Sequence, residues 1–284
     1  MIKAISSLFS SSRPVVPVIP LSGLIAASSG AGLRRAGLNL SGLSKLLDRA
    51  FTTKRAAAVA LLINSPGGSP VQSAMIASRI RDLARKNDVP VISFVEDVAA
   101  SGGYWLACAG DQIIANPSSI IGSIGVVSAG FGFDRAIDKI GIDRRVYTSG
   151  ISKSMLDPFR PENPDDVKHL KALQEEVHAQ FIAMVKSRRG SRLNGEDDLL
   201  FSGAFWTGEK SLELGLVDRL GDIRPVLQEQ FGEKVMIKLM TMKKSLFGMG
   251  SGQMGISSNA MPEAIVDTAL LKLEERLERM RYGL

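Results

Sequence analysis

The chain has one cysteine and two histidines in 284 residues, which leaves little material for metal or redox chemistry. A single thiol, Cys108, excludes an intrachain disulfide and a cysteine-rich metal site. It lies in the apolar run Trp105-Leu106-Ala107-Cys108-Ala109, where a buried structural thiol is expected. His169 and His178 share one long helical stretch, so no histidine-based zinc centre is expected, and no metal or cofactor. Long hydrophobic runs are also missing. No segment reaches the ~20 apolar residues that a spanning helix needs. The nearest, Val15–Ala27, is interrupted by Pro17 and Pro20. The leader Met1–Arg13 has an early lysine, but its apolar run is too short for a signal peptide. The expectation is a soluble, cytoplasmic chain with peripheral membrane contact at most.

No strong charge of one sign is present either. Lys and Arg number 35 against 29 Asp and Glu, a net charge of +6. The basic residues form only short clusters, among them Arg34–Arg35, Arg144–Arg145, Arg188–Arg189 and Lys243–Lys244. Such clusters read as solvated surface rather than a nucleic-acid footprint. Neither GxGxxG nor GxxxxGK[ST] occurs, which argues against a nucleotide site.

What is present is a globular composition, 45% hydrophobic and 23% charged, enough for a sizeable core. Strands are expected at Val15–Leu21, Ala56–Asn64, Val89–Val95, Asp111–Ala115, Ser123–Ser128 and Asp143–Tyr147. The prolines of the first suggest an edge or a strand end. Helices are expected at Leu43–Ala50, after Ser69 (with Val71, Met75, Ile80 and Leu83 on one buried face), and at Ala100–Ala109 and Phe133–Ile140. Further helices are expected at Asp165–Arg189, Lys210–Leu214, Asp222–Phe231 and Glu263–Arg281. The alternation of strand and helix indicates an α/β architecture. Gly248–Pro262, rich in Gly, Ser and Met, reads as a linker. The last helix carries Leu270, Leu273, Leu277 and Met280 on one stripe, a spacing that suits a partner helix.

Two glycine loops follow apolar strands. Asn64-Ser65-Pro66-Gly67-Gly68 is either a tight turn or an anion cradle. In Ala100-Ser101-Gly102-Gly103-Tyr104, Ser101 stands at a helix start, as an N-cap or as a nucleophile beside free backbone amides. A serine needs a base. A lysine serves where burial disfavours its ammonium, and Lys153 has no charged neighbour from Tyr147 to Leu156.

Several motifs together resemble the signal peptide peptidase A / SohB family, the S49 serine peptidases. They are Leu61–Asn64 with Ser65-Pro66-Gly67-Gly68, Ala100–Tyr104, Gly122-Ser123-Ile124-Gly125-Val126, and Ser149-Gly150 through Lys153 to Pro158. Trp206-Thr207-Gly208 and Gly215-Leu216-Val217-Asp218 complete the set. The resemblance covers roughly Val15 to Phe231. It implies a ClpP/crotonase-like α/β superfold, to which the residue pattern beyond Phe247 adds a C-terminal helical extension. With the change of composition near Phe247, the expected boundaries are a leader at 1–14, a peptidase-type domain at 15–246, a linker at 247–262 and a helix at 263–284. It implies that Ser101 is the nucleophile, Lys153 the general base and Ser123 the serine that orients the lysine. Gly68 and Gly102 would supply oxyanion-hole amides. Hydrophobic peptides, such as cleaved signal peptides and membrane-derived fragments, are the implied substrates. The implied assembly is a homo-oligomer whose active sites are shared between chains. A crotonase-like acyl-CoA enzyme and a non-catalytic peptide- or membrane-binding scaffold are the alternatives. Two departures from the family stand out: no N-terminal anchor is seen, and there is one copy of the domain rather than a tandem pair.

Overall fold

Apolar runs buried on both faces need no polar alternation and suit parallel strands. The computed structural model describes residues 13–27, 37–241, 273, 275–277 and 279–282. The leader before residue 13, the linker at 247–262 and the beginning of the last helix lie outside the described residues. In chain order the elements begin with β1 (Val15–Ser22), α1 (Leu40–Phe51), β2 (Val59–Ser65), α2 (Pro70–Asn87), β3 (Val91–Ala100) and α3 (Gly102–Ala107). There follow β4 (Gln112–Ala115), β5 (Ile120–Gly122), α4 (Asp134–Lys139), α5 (Pro164–Arg189) and α6 (Asp197–Leu200). The last are β6 (Phe205–Thr207), α7 (Gly208–Glu213), β7 (Arg219–Leu220), α8 (Ile223–Phe231) and β8 (Met236–Leu239).

Among the described residues one sheet runs β6-β5-β3-β2-β1-β8, with β4 pairing β3 and β7 off that path. Every pairing is parallel except β5 with β6. One face packs Ile19, Leu21, Leu61, Ile63, Val95 and Ala99 under α1, α2, α3 and α5. The opposite face packs Val16, Val18, Ala60, Ile92 and Phe94 against Val226 and Leu227 of α8.

The strand β3 forks, and the fork builds the site. Its first half, Ile92–Val95, pairs with β4, and its second half, Val98–Ala100, pairs with β5. Gly122 and Ser123 are thereby set beside Ala100 and Ser101.

Several expectations need correction. The proline-bearing β1 is no edge strand; it lies between β2 and β8. Val15 bridges Ala56 while Val18 pairs Ala60, so an extra β2 residue bulges opposite Pro17, where the ladder lacks a donor. The pairing with β8 ends at Val18, short of Pro20. In α2 the buried positions are Ser73, Ile76, Ala77, Ile80, Leu83 and Ala84, while Val71 and Met75 are exposed. Small residues let this helix lie close to its neighbours, which rotates the expected face. No strand forms at 123–128, because positive φ angles of 114° at Gly122 and 52° at Ser123 turn the chain out of the sheet. No strand forms at 143–147 either: these residues are exposed and pair with no strand among the described residues.

Residues 127–163 instead form an arm. Along it Val127, Phe131, Ile140, Ile142, Tyr147 and Ile151 are all exposed. The helix α5 returns from this arm and buries only Phe181, Val185 and Arg189 towards its C-terminal end. Its start has the expected signals: Asn163 accepts from the Asp165 amide, Pro164 opens the first turn, and Asp165 and Asp166 favour the helix N-terminus.

Candidate active site

Ser101 occupies the bend between β3 and α3 with φ 51° and ψ −122°. Non-glycine residues avoid this conformation, which costs about 1–3 kcal/mol and persists only where the surroundings hold it. They do so here. The Ser101 amide donates to Gly122 O at 2.8 Å, and its carbonyl accepts from the Tyr104 and Trp105 amides. The helix that follows is buried throughout, with Trp105 stacked on Phe181 at 4.7 Å between ring centroids. Although Ser101 stands at the cap position, its side chain makes no capping hydrogen bond. The hydroxyl is not spent on the helix.

The loop after β2 closes on this serine. Gly67 and Gly68 have φ angles of 109° and 131°. A methyl group at Gly67 would lie 2.8 Å from both Gly102 N and Ser101 Cβ, so only glycine lets the loop approach so closely. Ile25 donates to Gly67 O and accepts from the Ser69 amide, both at 2.7 Å. Neither bond uses the Gly68 amide. The Gly102 amide, in the first turn of α3, has no intrahelical acceptor. The Gly67 backbone and the first turn of α3 thus close on Ser101.

Ser123 follows β5 and is half-buried. Its amide donates to Ala204 O at 2.7 Å. The Trp206-Thr207-Gly208 motif holds this corner: Trp206 pairs Ile121, and a methyl group at Gly122 would lie 2.9 Å from the Trp206 ring. Ser123 Oγ accepts from Tyr282 Oη at 3.2 Å. His178, read from sequence as a plain helix position, places Nε2 3.0 Å from Ile124 O. A carbonyl only accepts, so this ring nitrogen carries the hydrogen.

The structure therefore brings the glycine loop through Gly67, Gly102 and the Gly122–Ser123 corner to Ser101, but not Lys153. Lys153 is exposed on the arm, where its amide donates to Gly150 O at 3.2 Å. A cleft of about 950 Å³ on the arm is lined by Phe131, Phe133, Ile151, Met155 and Leu156 and does not include Ser101.

Behind α3 lies a brace that sequence reading missed. The pair Arg188–Arg189, expected as solvated surface, is not: Arg189 is 2% exposed. Its guanidinium donates to Gly215 O and to both Asp218 oxygens at 2.7–2.9 Å. Asp218 also accepts from the Ile113 amide, and Tyr104 of α3 donates to Leu216 O. The Gly-Leu-Val-Asp motif is thus the anchor of the serine-bearing helix. Burial raises the Asp218 carboxyl, but the Arg189 and Ile113 bonds outweigh it and leave it below the usual carboxylate range. Cys108 lies in the same region, and burial pushes its thiol up to about 11, as suits a structural cysteine.

Arg189→Met is expected to destabilise the fold by about 1–3 kcal/mol, because it removes the buried guanidinium from Gly215 O and Asp218, while Arg192 and the Ile113 amide still meet the carboxylate. The check is the urea midpoint. Because the Asp218 pKa is lower in the folded state, its stabilisation is complete above the unfolded value near ~3.9 and is lost as pH falls through the folded one. The wild-type advantage over Asp218→Asn should shrink only in that acid window.

Comparison with known proteins gives the family. Residues 83–235 match the model of peptidase family S49. The chain belongs to this family. An S49 relative, the probable protease SohB of Haemophilus influenzae, is 29% identical over 235 residues, covering 82% of this chain and 63% of that one. A protein of Brucella abortus named Na(+)/H(+) antiporter NhaA is 50% identical over 274 residues, which cover 95% of this chain but 37% of that protein. The present chain thus spans little more than a third of that relative. No helix among the described residues here is long and apolar enough to cross a membrane. A solved structure, the membrane-bound stomatin-specific protease 1510-N as a lysine-to-alanine mutant in complex with a substrate peptide, superposes with a TM-score of 0.51 at 16% identity. It covers 92% of this chain and 99% of its own. The S49 fold is accordingly the expected ClpP/crotonase-like α/β superfold.

Proposed function

We propose that this S49 chain is a serine endopeptidase in which Ser101 is the nucleophile and Lys153 the base, acting on hydrophobic peptides such as cleaved signal peptides and membrane-derived fragments. The observation that supports the reading is the uncapped Ser101 hydroxyl, held in a strained bend against the Gly67 backbone and the first turn of α3, and the Gly68 and Gly102 amides are assigned to the oxyanion. Neutral Lys153 takes the Ser101 proton as Oγ bonds to the scissile carbonyl carbon. The carbonyl electron pair moves onto oxygen, which the two amides hold. Collapse of this intermediate breaks the C–N bond, and the Lys153 ammonium returns its proton to the leaving amine. Water then repeats the sequence to free the acyl group. Ser123 orients the lysine amine.

The lysine must arrive from elsewhere. Burial is what keeps a lysine neutral, and Lys153 is exposed in the single chain. The uncovered apolar residues of the arm favour a homo-oligomer in which one chain's arm packs beside its neighbour's Ser101. In that assembly Lys153 is desolvated and meets Ser123 of the neighbour.

A fluorophosphonate probe tests the nucleophile. Mass spectrometry of the labelled protein should place one adduct on the peptide containing Ser101, and Ser101→Ala should abolish it. A crotonase-like enzyme would take no such adduct. Turnover of a hydrophobic peptide should rise from acid to alkaline pH, because only the neutral amine accepts a proton, and should be indifferent to EDTA. Activity lost in EDTA and restored by a divalent metal contradicts the mechanism.

A further inference from the structure

The C-terminal segment meets the candidate site at three points. Tyr282 Oη donates to Ser123 Oγ at 3.2 Å. The Tyr282 ring is 7% exposed, packed with Val98, Ala100 and Ile120 and edge-on to Phe205 at 4.8 Å between centroids. Val98 and Ala100 are the last residues of β3 on that face, and Ala100 immediately precedes Ser101. One turn earlier, Arg279 donates to Asn64 Oδ1 at 3.1 Å and Asn64 O at 3.2 Å. Asn64 stands three residues before Gly67, at the root of the glycine loop. Glu275 pairs with Arg279 at 3.1 Å, and its carboxylate lies 3.5 Å from where a methyl on Gly23, just after β1, would sit. The segment therefore crosses the C-terminal ends of β1, β2, β3 and β5, the edge on which every proposed catalytic group except Lys153 is placed.

We propose that residues 275–282 are a latch that closes the catalytic cleft against both Lys153 and substrate. The proposal rests on the reading of Ser123 as the partner of the lysine amine. While Tyr282 fills the space against Ser123, an incoming lysine stem has no route to that hydroxyl. The latch is built to open. Its apolar side chains Leu277 and Met280 are 53% and 62% exposed, so they bury little apolar surface against the body. Elements with so little buried apolar surface open at low free-energy cost. A hydrophobic peptide competes for the same apolar recess between Phe205 and Ala100, so substrate itself displaces the latch.

Hydrogen exchange and kinetics on the full chain test this separately. In Ser101→Ala, which can bind but not cleave, amides of 275–282 should be protected, and both a saturating hydrophobic peptide and the added Tyr282→Ala change should abolish the protection. In the chain with Ser101 intact, Tyr282→Ala and Arg279→Ala should each raise kcat/KM. The rise is about tenfold if the latch is closed in roughly nine of ten molecules, since only the open fraction binds substrate. Tyr282→Phe, which keeps the ring and loses the hydroxyl, should fall between. Amides of 275–282 that exchange freely in the unliganded protein overturn the latch, as does a kcat/KM that stays level or drops in both Tyr282→Ala and Arg279→Ala. Turnover that survives Ser101→Ala overturns the peptidase reading instead, and the exchange data still decide whether the segment docks.

Discussion

Ser101→Ala and Lys153→Ala should each lower kcat by roughly 10⁴-fold, and the double mutant should lose little more, because groups that act as one unit are not additive. The reason for Ser101 is geometric. A serine that only capped α3 would cost about 1 kcal/mol of stability when removed and leave turnover intact, but this hydroxyl makes no capping bond. Ser101→Ala should therefore fold with an unchanged melting temperature while losing activity. Lys153→Ala should be equally well folded, because its side chain is exposed on the arm. The histidines are the controls. His169 is exposed, and His169→Ala should behave as wild type. His178→Ala removes the donor to Ile124 O beside Ser123, so a loss of a few fold is expected, without abolition. A folded histidine mutant as inactive as Ser101→Ala would show that the base is not a lysine. The experiment needs a peptidase assay, a melting curve for each variant and nothing more elaborate.

The parts of this molecule that could be read from its sequence are those whose causes are local. An apolar run that ends in a glycine loop is a buried parallel strand followed by a backbone cradle, and both such runs form strands, although β3 continues past the expected Val95 to Ala100. Ser101 stood out for the same reason. The failures share the opposite property. Arg189 looked like surface because its neighbour in sequence is another arginine; what buries it is Asp218, 29 residues away. The short strands β6 and β8 carry too few residues for a periodic signal and form where β5 and β1 offer them an edge. The strand expected at 123–128 is broken by two consecutive positive φ angles, and one of them falls on a serine, a residue type that gives no warning of such a conformation. Contact between Tyr282 and Ser123 joins positions 159 apart, beyond any pattern of spacing. Glu275, Arg279 and Tyr282 of the last helix meet the body, while Leu273, Leu277 and Met280 of its stripe stay exposed in the single chain.

Mixing two dead proteins should restore activity. The structure separates the proposed dyad: Ser101 is fixed in the buried body at the end of β3, and Lys153 sits exposed on an arm whose apolar side chains are uncovered. If a neighbouring arm supplies the lysine, a Ser101→Ala chain still offers an intact Lys153, and a Lys153→Ala chain still offers an intact Ser101. In a mixed oligomer, some interfaces then unite the two intact groups. With random equimolar assembly such an interface arises with probability ~1/2 × 1/2, so about a quarter of wild-type activity should return, because each site needs its two groups held together. If instead the arm folds back onto its own chain, every chain in the mixture lacks one of its groups and nothing returns. The two proteins should be co-expressed with different affinity tags and purified through both, so that only mixed assemblies are assayed. Doubly purified oligomers without turnover would exclude the shared site and return Lys153 to its own Ser101. Recovery near one quarter, absent from a mixture of Ser101→Ala with the double mutant, would establish that the arm's exposed apolar face is one half of an active site.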